Sequence, residues 1–246
     1  MGLNMKQKID LSPNFSKKSR SKNQIKFVIM HYTGMQSEIE SLVRLKDVKT
    51  KVSCHYLINR KGEVTKLVDE NRVAWHAGKS KWKKFNNLNN KSLGIELVNK
   101  GHQYGYEKFT TAQIRSLTKL CKKFKKIYKI KSHHFLGHSD IAPIRKKDPG
   151  ENFPWKKLSK FGIGNWYKKM DINFHKIKSS KKRNIFFKNL NKIGYRYFSL
   201  DRERKIIDAL VIKSFQRHYL PKNLTGKIDK KTFEICYFLA NLKKKT

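Results

Sequence analysis

The chain has 246 residues, which is enough for one large domain or for one catalytic domain with a small appendage. Its hydrophobic content of 38% and aromatic content of 12% allow a real core and exclude global disorder. Lysine and arginine number 58 against 18 acidic residues, so the formal net charge is +40. Such a charge favours a polyanionic partner, but the lysines are spread along the whole chain, and solvated faces account for them equally well.

Three cysteines, at positions 54, 121 and 236, lie far apart and form no CxxC pair. We interpret each as a small buried apolar residue rather than as part of a disulfide framework or a thiolate metal site. No apolar run approaches the roughly 18 residues of a membrane span, and residues 1–24 contain no apolar stretch of the signal-peptide type. We therefore expect no membrane span and a cytoplasmic location, with the periplasm or cell envelope as the alternative.

The first predicted elements are an arm, a strand and a helix. Residues 1–24 are polar and lysine-rich, which predicts a flexible basic arm. Residues 25–33 form a near-continuous apolar run of β-forming residues that contains His31 near its end, and such a run is typical of a buried central strand. Residues 37–46 are predicted to be a helix, because Ser37 is a suitable N-cap residue and an acidic residue follows it three positions later.

A β-hairpin and a further strand come next. Two alternating segments, residues 52–58 and 63–68, are separated by a turn in which Gly62 can adopt a positive φ. Residues 92–98 form a third apolar strand, and Glu96 is its one charged residue.

Helical periodicity dominates the second half of the chain. Apolar residues recur at three- and four-residue steps over residues 110–128, with lysines on the opposite face, which predicts an amphipathic helix. We expect the catalytic domain to cover residues 25–167 and a basic linker to cover residues 168–184. Residues 185–242 are predicted to form a small domain of three short helices, the last of them capped by Asp229.

The loop at residues 137–150 carries the clearest chemical signal. Its sequence, GHSDIAPIRKKDPG, places His138 ten residues before Asp148 and Lys146 two residues before that aspartate. Such a loop can hold a metal ligand at each end, and His31 is a third candidate ligand far upstream. Two histidines and one aspartate would leave the fourth position of a zinc ion open for water, as a catalytic zinc site requires.

Glu96 and Lys146 would supply the remaining chemistry of a hydrolase. A carboxylate at Glu96 could take a proton from water and pass it to the leaving group, while Lys146 could stabilise an oxyanion as a fixed cation. Taken one at a time, each candidate has a structural alternative: a histidine at a strand end, a buried ion-pair partner, one charge in a solvated run, or a turn former at Asp148. Their combination favours metal-assisted hydrolysis.

Six short motifs and a closing FPW follow one another in an order and spacing that resemble a known enzyme family. They are HYT at 31–33, VSCHYLI at 52–58, AWHAG at 74–78, GIE at 94–96, GHSDIAP at 137–143, KKDPG at 146–150 and FPW at 153–155. Over about residues 25–167 the chain resembles N-acetylmuramoyl-L-alanine amidases of the zinc amidase-2 type, which are related to peptidoglycan recognition proteins. Residues 185–242 resemble, less closely, the three-helix peptidoglycan-binding domain, through IGY at 193–195, FQRHY at 215–219 and TGKIDKKT at 225–232.

The resemblance implies an α/β fold with a mixed central β-sheet flanked by helices, plus a small three-helix C-terminal domain. It implies hydrolysis of the amide between the lactyl group of N-acetylmuramic acid and L-alanine of the stem peptide. By the same resemblance, His31, His138 and Asp148 would bind Zn²⁺, and Glu96 and Lys146 would assist catalysis. The expected partners are peptidoglycan or muropeptide fragments, whose free carboxylates suit a basic surface.

Other residues of the motifs are expected to have supporting roles. His55 and His76 are predicted to be hydrogen-bonded structural or cleft residues rather than ligands. Trp75 and Trp82 could line a cleft for sugar or peptide, or pack in the core. Cys54 stands where a smaller residue would be more usual, with no expected consequence for the chemistry.

Two other classes of function compete with this one. A recognition module of the same fold would bind the stem peptide without cutting it, but binding-only relatives lack a full ligand set. A nucleic-acid-binding protein would show a basic patch with interleaved aromatic residues or a known motif, and neither is found, so no specific nucleic acid is expected.

Within the enzyme interpretation, two roles are open. A cytoplasmic recycling enzyme would cut anhydro-muropeptides, whereas an envelope enzyme would cut the sacculus. The lack of a recognisable signal peptide favours the first role, and the appended binding-like unit favours the second, because a tether to polymer raises the effective concentration at the site.

Overall fold

The computed structural model of the protein describes residues 7–169 and 171–242. Its strands are β1 (Gln7–Ile9), β2 (Phe15–Ser16), β3 (Phe27–Tyr32), β4 (Tyr56–Ile58), β5 (Val64–Lys66), β6 (Val73–Ala74), β7 (Lys81–Trp82), β8 (Phe85–Asn86), β9 (Ser92–Leu97) and β10 (Phe135–Gly137). Its α-helices are α1 (Glu38–Lys46), α2 (Thr111–Ile127), α3 (His138–Ile141), α4 (Trp155–Ser159), α5 (Ser179–Ile193), α6 (Lys205–Tyr219) and α7 (Lys230–Ala240). In this described part of the chain, no helix combines the length and the apolar character that crossing a membrane requires.

Six strands form one central sheet in the order β1-β5-β4-β9-β3-β10. Neighbouring strands run parallel except β4 and β5, which are antiparallel. Two separate antiparallel pairs, β2 with β6 and β7 with β8, accompany the sheet. The predicted α/β fold with a mixed central sheet flanked by helices is confirmed.

The interior strand β3, which lies between β9 and β10, is covered on both faces, as its near-continuous apolar sequence predicts. Val28 and Met30 belong to a hydrophobic cluster with α2, whereas Phe27 and Ile29 belong to a second cluster with α5, α6 and α7. Because side chains alternate across a strand, His31 projects to the same face as Phe27 and Ile29. The C-terminal helices therefore cover the face of the sheet on which His31 lies.

The predicted N-cap of α1 and the hairpin are confirmed, and α2 is capped in the same way. Ser37 Oγ accepts a hydrogen bond from the Glu40 backbone N–H (3.1 Å) at the start of α1, and Thr110 Oγ1 accepts one from the Gln113 N–H (3.1 Å) at the start of α2. β4 and β5 pair across the turn at Gly62, whose φ is +83°, although both strands are shorter than predicted. All three cysteines are buried and free, as predicted.

Residues 7–24, predicted to belong to a flexible arm, are instead ordered against the rest of the fold. β1 adds an edge strand to the central sheet, and β2 pairs with β6. Arg20 is buried, and its guanidinium donates to three backbone oxygens, those of Glu70, Asn89 and Ser92. These acceptors compensate for the desolvation of a charge that composition assigns to the surface. Residues 1–6 of the predicted arm lie outside the described residues.

Three helices follow, as predicted for residues 185–242. The Asp229 carboxylate accepts a hydrogen bond from the Thr232 N–H (2.8 Å) and caps α7. The first of the three, α5, begins at Ser179, within the predicted linker, and Met170 of that linker lies outside the described residues.

The C-terminal helices pack on the sheet as well as on one another. Phe186 and Phe215 share a single hydrophobic cluster with Phe27 and Leu136 of the sheet. About 60 residues in three helices make only a marginal core alone, and the shared cluster supplies further burial. A boundary between a catalytic domain and a separate binding domain therefore stays a prediction.

Candidate active site

Three parallel strands bring distant residues to one edge of the sheet. β9, β3 and β10 lie side by side and run in the same direction, so their carboxyl ends meet. His31 lies next to the end of β3 and pairs in register with Glu96 of β9, while His138 directly follows β10 as the first residue of α3. This is the edge at which ligand sites of α/β proteins commonly form.

The side chains of His31, His138 and Asp148 converge at this edge. His31 Nδ1 lies 3.0 Å from His138 Nδ1 and 2.9 Å from Asp148 Oδ2, and His138 Nδ1 lies 3.0 Å from Asp148 Oδ2. All three residues are buried, with 1%, 3% and 6% of their surface exposed. Together they form a group that could hold a metal ion.

The outer nitrogens of both imidazole rings are held by neighbouring groups. His138 Nε2 lies 3.1 Å from the backbone oxygen of Ala77, to which an N–H can donate. His31 Nε2 lies 3.1 Å from His76 Nδ1, and His76 Nε2 lies 3.3 Å from Ser92 Oγ, whose hydroxyl donates to a backbone oxygen. The contacts with Ala77, His76 and Ser92 are satisfied when each Nε2 carries the proton. Arg145 Nη2 also lies 3.2 Å from His138 Nε2, but it donates to the backbone oxygens of Ala77 and Lys79.

With the protons on Nε2, no hydrogen remains between the three inner atoms. Two ring nitrogens and a carboxylate oxygen then present lone pairs to one another at 2.9–3.0 Å, which is unfavourable unless a cation lies among them. Bonds of about 2.0–2.1 Å from zinc to nitrogen or oxygen place neighbouring tetrahedral ligands about 3.3 Å apart, close to these separations. The residues present therefore fit a metal ion.

The protonation states of two of these groups also suit a metal. Burial and the adjacent His138 lower the pKa of His31 to about 4, so its ring is neutral at pH 7. Burial would raise the pKa of Asp148, but the imidazoles of His138 and His31 outweigh this effect and hold that pKa well below its ordinary value. A neutral imidazole and a carboxylate are the forms in which these side chains bind metals.

Glu96 and Lys146 lie beside this group. Glu96 is partly exposed, but its Oε2 is buried and has no hydrogen-bond partner among residues 7–169 and 171–242. Burial and the Asp148 carboxylate raise the pKa of Glu96 to about 8, while the Lys146 ammonium acts in the opposite direction. Lys146 also lowers the pKa of His31, which places its charge near both groups. A carboxyl oxygen that no protein group occupies is suited to proton transfer.

A family model described as N-acetylmuramoyl-L-alanine amidase matches residues 21–151, more than half of the chain. The chain belongs to the N-acetylmuramoyl-L-alanine amidase family. The amidase is 35% identical over 230 residues to the N-acetylmuramoyl-L-alanine amidase AmiD of Escherichia coli, a match that covers 86% of this chain and 81% of that protein. It is 34% identical over 164 residues to the 1,6-anhydro-N-acetylmuramyl-L-alanine amidase AmpD of Haemophilus influenzae, covering 59% of this chain and 86% of that protein. The predicted family and the predicted enzyme class, a hydrolase, are confirmed.

Solved structures of such enzymes share the fold of this amidase. AmiD from Escherichia coli, in complex with the substrate anhydro-N-acetylmuramic acid-L-Ala-D-gamma-Glu-L-Lys, matches with a TM-score of 0.77 and 32% identity over 91% of both chains. AmpDh3 from Pseudomonas aeruginosa, in complex with anhydromuramic pentapeptide, matches with a TM-score of 0.74 and 27% identity over 91% of this chain and 92% of that chain. Both matches reach into the C-terminal helices, because they cover nine-tenths of the amidase.

The fold of the amidase brings the five predicted site residues to one edge of the sheet. They are His31, Glu96, His138, Lys146 and Asp148. Their proximity is a finding, whereas their roles as ligands and catalytic groups stay predictions.

Supporting residues were predicted in part. His76 contacts a predicted ligand, His31, as a hydrogen-bonded neighbour, and His55 Nδ1 accepts a hydrogen bond from a backbone N–H. Trp82 packs in the cluster of the C-terminal helices, which agrees with its core interpretation. Sequence reasoning missed Arg145. Its Nη2 contacts the backbone oxygen of Ala77 and lies 3.2 Å from His138 Nε2. No sequence signal distinguishes Arg145 from its basic neighbours.

Proposed function

We propose that the protein is a zinc-dependent N-acetylmuramoyl-L-alanine amidase whose metal is held by His31, His138 and Asp148. The observation that supports this proposal best is a triangle of three buried atoms, two imidazole nitrogens and one carboxylate oxygen, that lie 2.9–3.0 Å apart. Because each ring carries its proton on the outer nitrogen, all three atoms present lone pairs to the centre of the triangle. Zinc bound there would polarise the substrate carbonyl group and lower the pKa of a water molecule towards about 7.

Glu96 and Lys146 would move the proton and stabilise the charge in this reaction. The Glu96 carboxyl group, whose buried Oε2 has no hydrogen-bond partner among the described residues, can accept a proton from the attacking water and return it to the leaving amine. Lys146 offers a fixed positive charge to the former carbonyl oxygen while negative charge develops on it. The water oxygen bonds to the lactyl carbonyl carbon, the carbon–nitrogen bond breaks, and the products are a carboxylate and the free amine of L-alanine.

The proposed substrate is a muropeptide that carries anhydro-N-acetylmuramic acid. AmiD and AmpDh3, which share this fold, are known in complexes with anhydromuramic peptides, and AmpD is named for the same class of compound. Stem peptides carry free carboxylates, which a chain with a net charge of +40 attracts at low salt. A cytoplasmic location remains our prediction, and cell fractionation tests it against the cell envelope.

The test uses purified protein, either loaded with zinc or stripped with a chelator. It is incubated with an anhydro-muramyl tripeptide and, separately, with intact sacculi, and the released peptide is identified by mass. We expect release of a peptide with a free L-alanine amine from the soluble fragment, lost with chelator and restored by zinc. Release from sacculi alone would move the substrate to the intact wall. Binding without release by the zinc-loaded protein would refute the proposed reaction and favour a recognition module.

A further inference from the structure

The helix that carries His138 is too short to hold itself in place. α3 spans four residues, His138–Ile141, and a single helical turn has no independent stability in water. The groups packed around α3 must therefore fix the position of His138. Its second ionisable residue, Asp140, is buried, with 1% of its surface exposed, and its hydrogen bonds link α3 to the C-terminal helices.

Asp140 accepts three hydrogen bonds, and two of them come from the C-terminal part of the chain. The Tyr195 hydroxyl donates to Oδ1 (2.6 Å), His218 Nδ1 donates to Oδ2 (2.7 Å), and the Gly137 backbone N–H donates to the same Oδ2 (2.8 Å). Tyr195 lies just after α5, and His218 lies in the last turn of α6. Both are buried, so these bonds are made out of contact with solvent.

A second connection runs from α6 through α3 to the other end of the metal-binding loop. Ser214 Oγ of α6 donates to the backbone oxygen of Ser139 (2.7 Å), and the Ser139 N–H donates to the backbone oxygen of Asp148 (2.8 Å). Gly137 permits this close packing, because a Cβ there would lie 2.8 Å from Pro149 Cδ. Ser139, the neighbour of His138, is thus hydrogen-bonded both to Asp148 and to α6.

The last turn of α6 is itself firmly placed. The His218 ring stacks on the Trp155 ring at a centroid distance of 4.0 Å and an angle of 11°. One residue earlier, Arg217 Nε lies 3.4 Å from Glu151 Oε2, three residues after Asp148. This turn therefore contacts Asp140, near the start of the loop that runs from His138 to Asp148, and Glu151, just after its end.

We propose that Asp140, Tyr195 and His218 are positioning residues that keep His138 and Asp148 at metal-binding separation, so that the C-terminal helices support the active site directly. This inference rests on the zinc site of the proposed function. Apolar packing is enough to attach helices to a sheet, and burying polar side chains carries a desolvation cost that apolar residues avoid. The function that can offset this cost is to fix a geometry. Here the network converges on α3, the helix that carries His138. In metal sites, groups around the ligands commonly fix the orientation of those ligands.

The test uses full-length variants in which the network is weakened without a change of shape. Tyr195→Phe removes one donor and keeps the ring, and Asp140→Asn removes the charge. Zinc affinity is measured by competition with a chelator of known affinity, and the cobalt-loaded proteins are compared by their visible spectra. We expect Asp140→Asn to raise the zinc Kd by about 10-fold or more, with a smaller rise for Tyr195→Phe and an altered cobalt spectrum in both.

Asp208 provides the matched control. It is a buried carboxylate of α6 that accepts hydrogen bonds from the Arg183 guanidinium (2.6 Å) and the Arg204 backbone N–H, both within the C-terminal part of the chain. We expect Asp208→Asn to lower the melting temperature of the metal-free protein while its zinc Kd stays within about twofold and its cobalt spectrum is unchanged.

Two results would overturn the inference. One is an equal rise in zinc Kd for Asp140→Asn and Asp208→Asn at an equal loss of melting temperature. The other is an unchanged Kd in both Asp140→Asn and Tyr195→Phe. If the wild-type protein binds no zinc, both the proposed function and this inference fail. If the wild-type protein binds zinc and the variants bind it equally well, only this inference fails.

Discussion

A methyl group at Gly94 would test whether His76 positions His31. A Cβ at Gly94 would lie 2.4 Å from Cγ of the His76 ring, whereas ordinary contacts begin at 3.4 Å, so the ring must move by about 1 Å. That ring is held at both nitrogens, 3.1 Å from His31 Nε2 and 3.3 Å from Ser92 Oγ. A shift of this size cannot preserve both contacts.

We expect Gly94→Ala to lower both stability and zinc affinity. Overpacking a buried site costs about 1–3 kcal/mol in the free energy of unfolding. Loss of the group that orients a ligating histidine weakens metal binding by about 10–100-fold. Denaturant unfolding of the metal-free protein measures the first effect, and chelator competition measures the second.

The double variant with His76→Ala isolates the cause. Without the imidazole ring, the new methyl group at position 94 has room, so adding Gly94→Ala to His76→Ala should change neither stability nor zinc affinity further. The two substitutions should therefore be strongly non-additive. Additive losses in the double variant would refute the idea that the contact between Gly94 and His76 controls the placement of His31.

Three further predictions concern catalysis and pH. Glu96→Gln should lower kcat by about 10²–10⁴-fold with little change in zinc Kd, because the amide keeps the shape but cannot take a proton; a matching loss of zinc would contradict this role. Lys146→Met should lower kcat more than it raises KM, whereas Lys147→Met at the exposed neighbouring position should change little, and equal losses would indicate a general charge effect instead. Burial raises the pKa of Glu151, but its hydrogen bonds with His102 outweigh this effect and lower that pKa from 4.5 to about 2. Its stabilising contribution, about 1 kcal/mol after solvent screening, should be complete above the unfolded pKa and lost as the pH falls towards 2. The difference in unfolding free energy between wild type and Glu151→Gln should therefore shrink between about pH 6 and about pH 2.5, and a constant difference would contradict the assignment.

The part of the site that lies on strands could be predicted from local sequence. The apolar run around His31 and the apolar run around Glu96 both indicate buried strands, and a parallel arrangement brings their ends together. His138 and Asp148 could be singled out by their spacing in one loop, and the resemblance supplied their roles. These signals lie within short segments, so they can be recognised without knowledge of the tertiary fold.

Contacts between distant parts of the chain left no such signal. Arg20 belongs to a basic segment, and only the folded chain provides the backbone oxygens that bury its charge. Asp140 and His218 are separated by 78 positions, and each by itself is typical of a helix terminus or a surface. Composition assigns such residues to solvent, because it cannot record which partners the tertiary fold brings to them.

The site therefore depends on two kinds of support. His31 and Glu96 lie on neighbouring strands whose six register positions are paired, so the sheet itself fixes them relative to each other. His138 and Asp148 lie beyond the last residue of β10, where α3 and its contacts with α6 fix them. Because a metal ion needs both halves, a change in the α6 contacts should weaken zinc binding while leaving the Glu96 carboxyl group in position. Excess zinc should then restore the turnover number of such variants more fully than it restores that of Glu96→Gln, which lacks the proton acceptor itself.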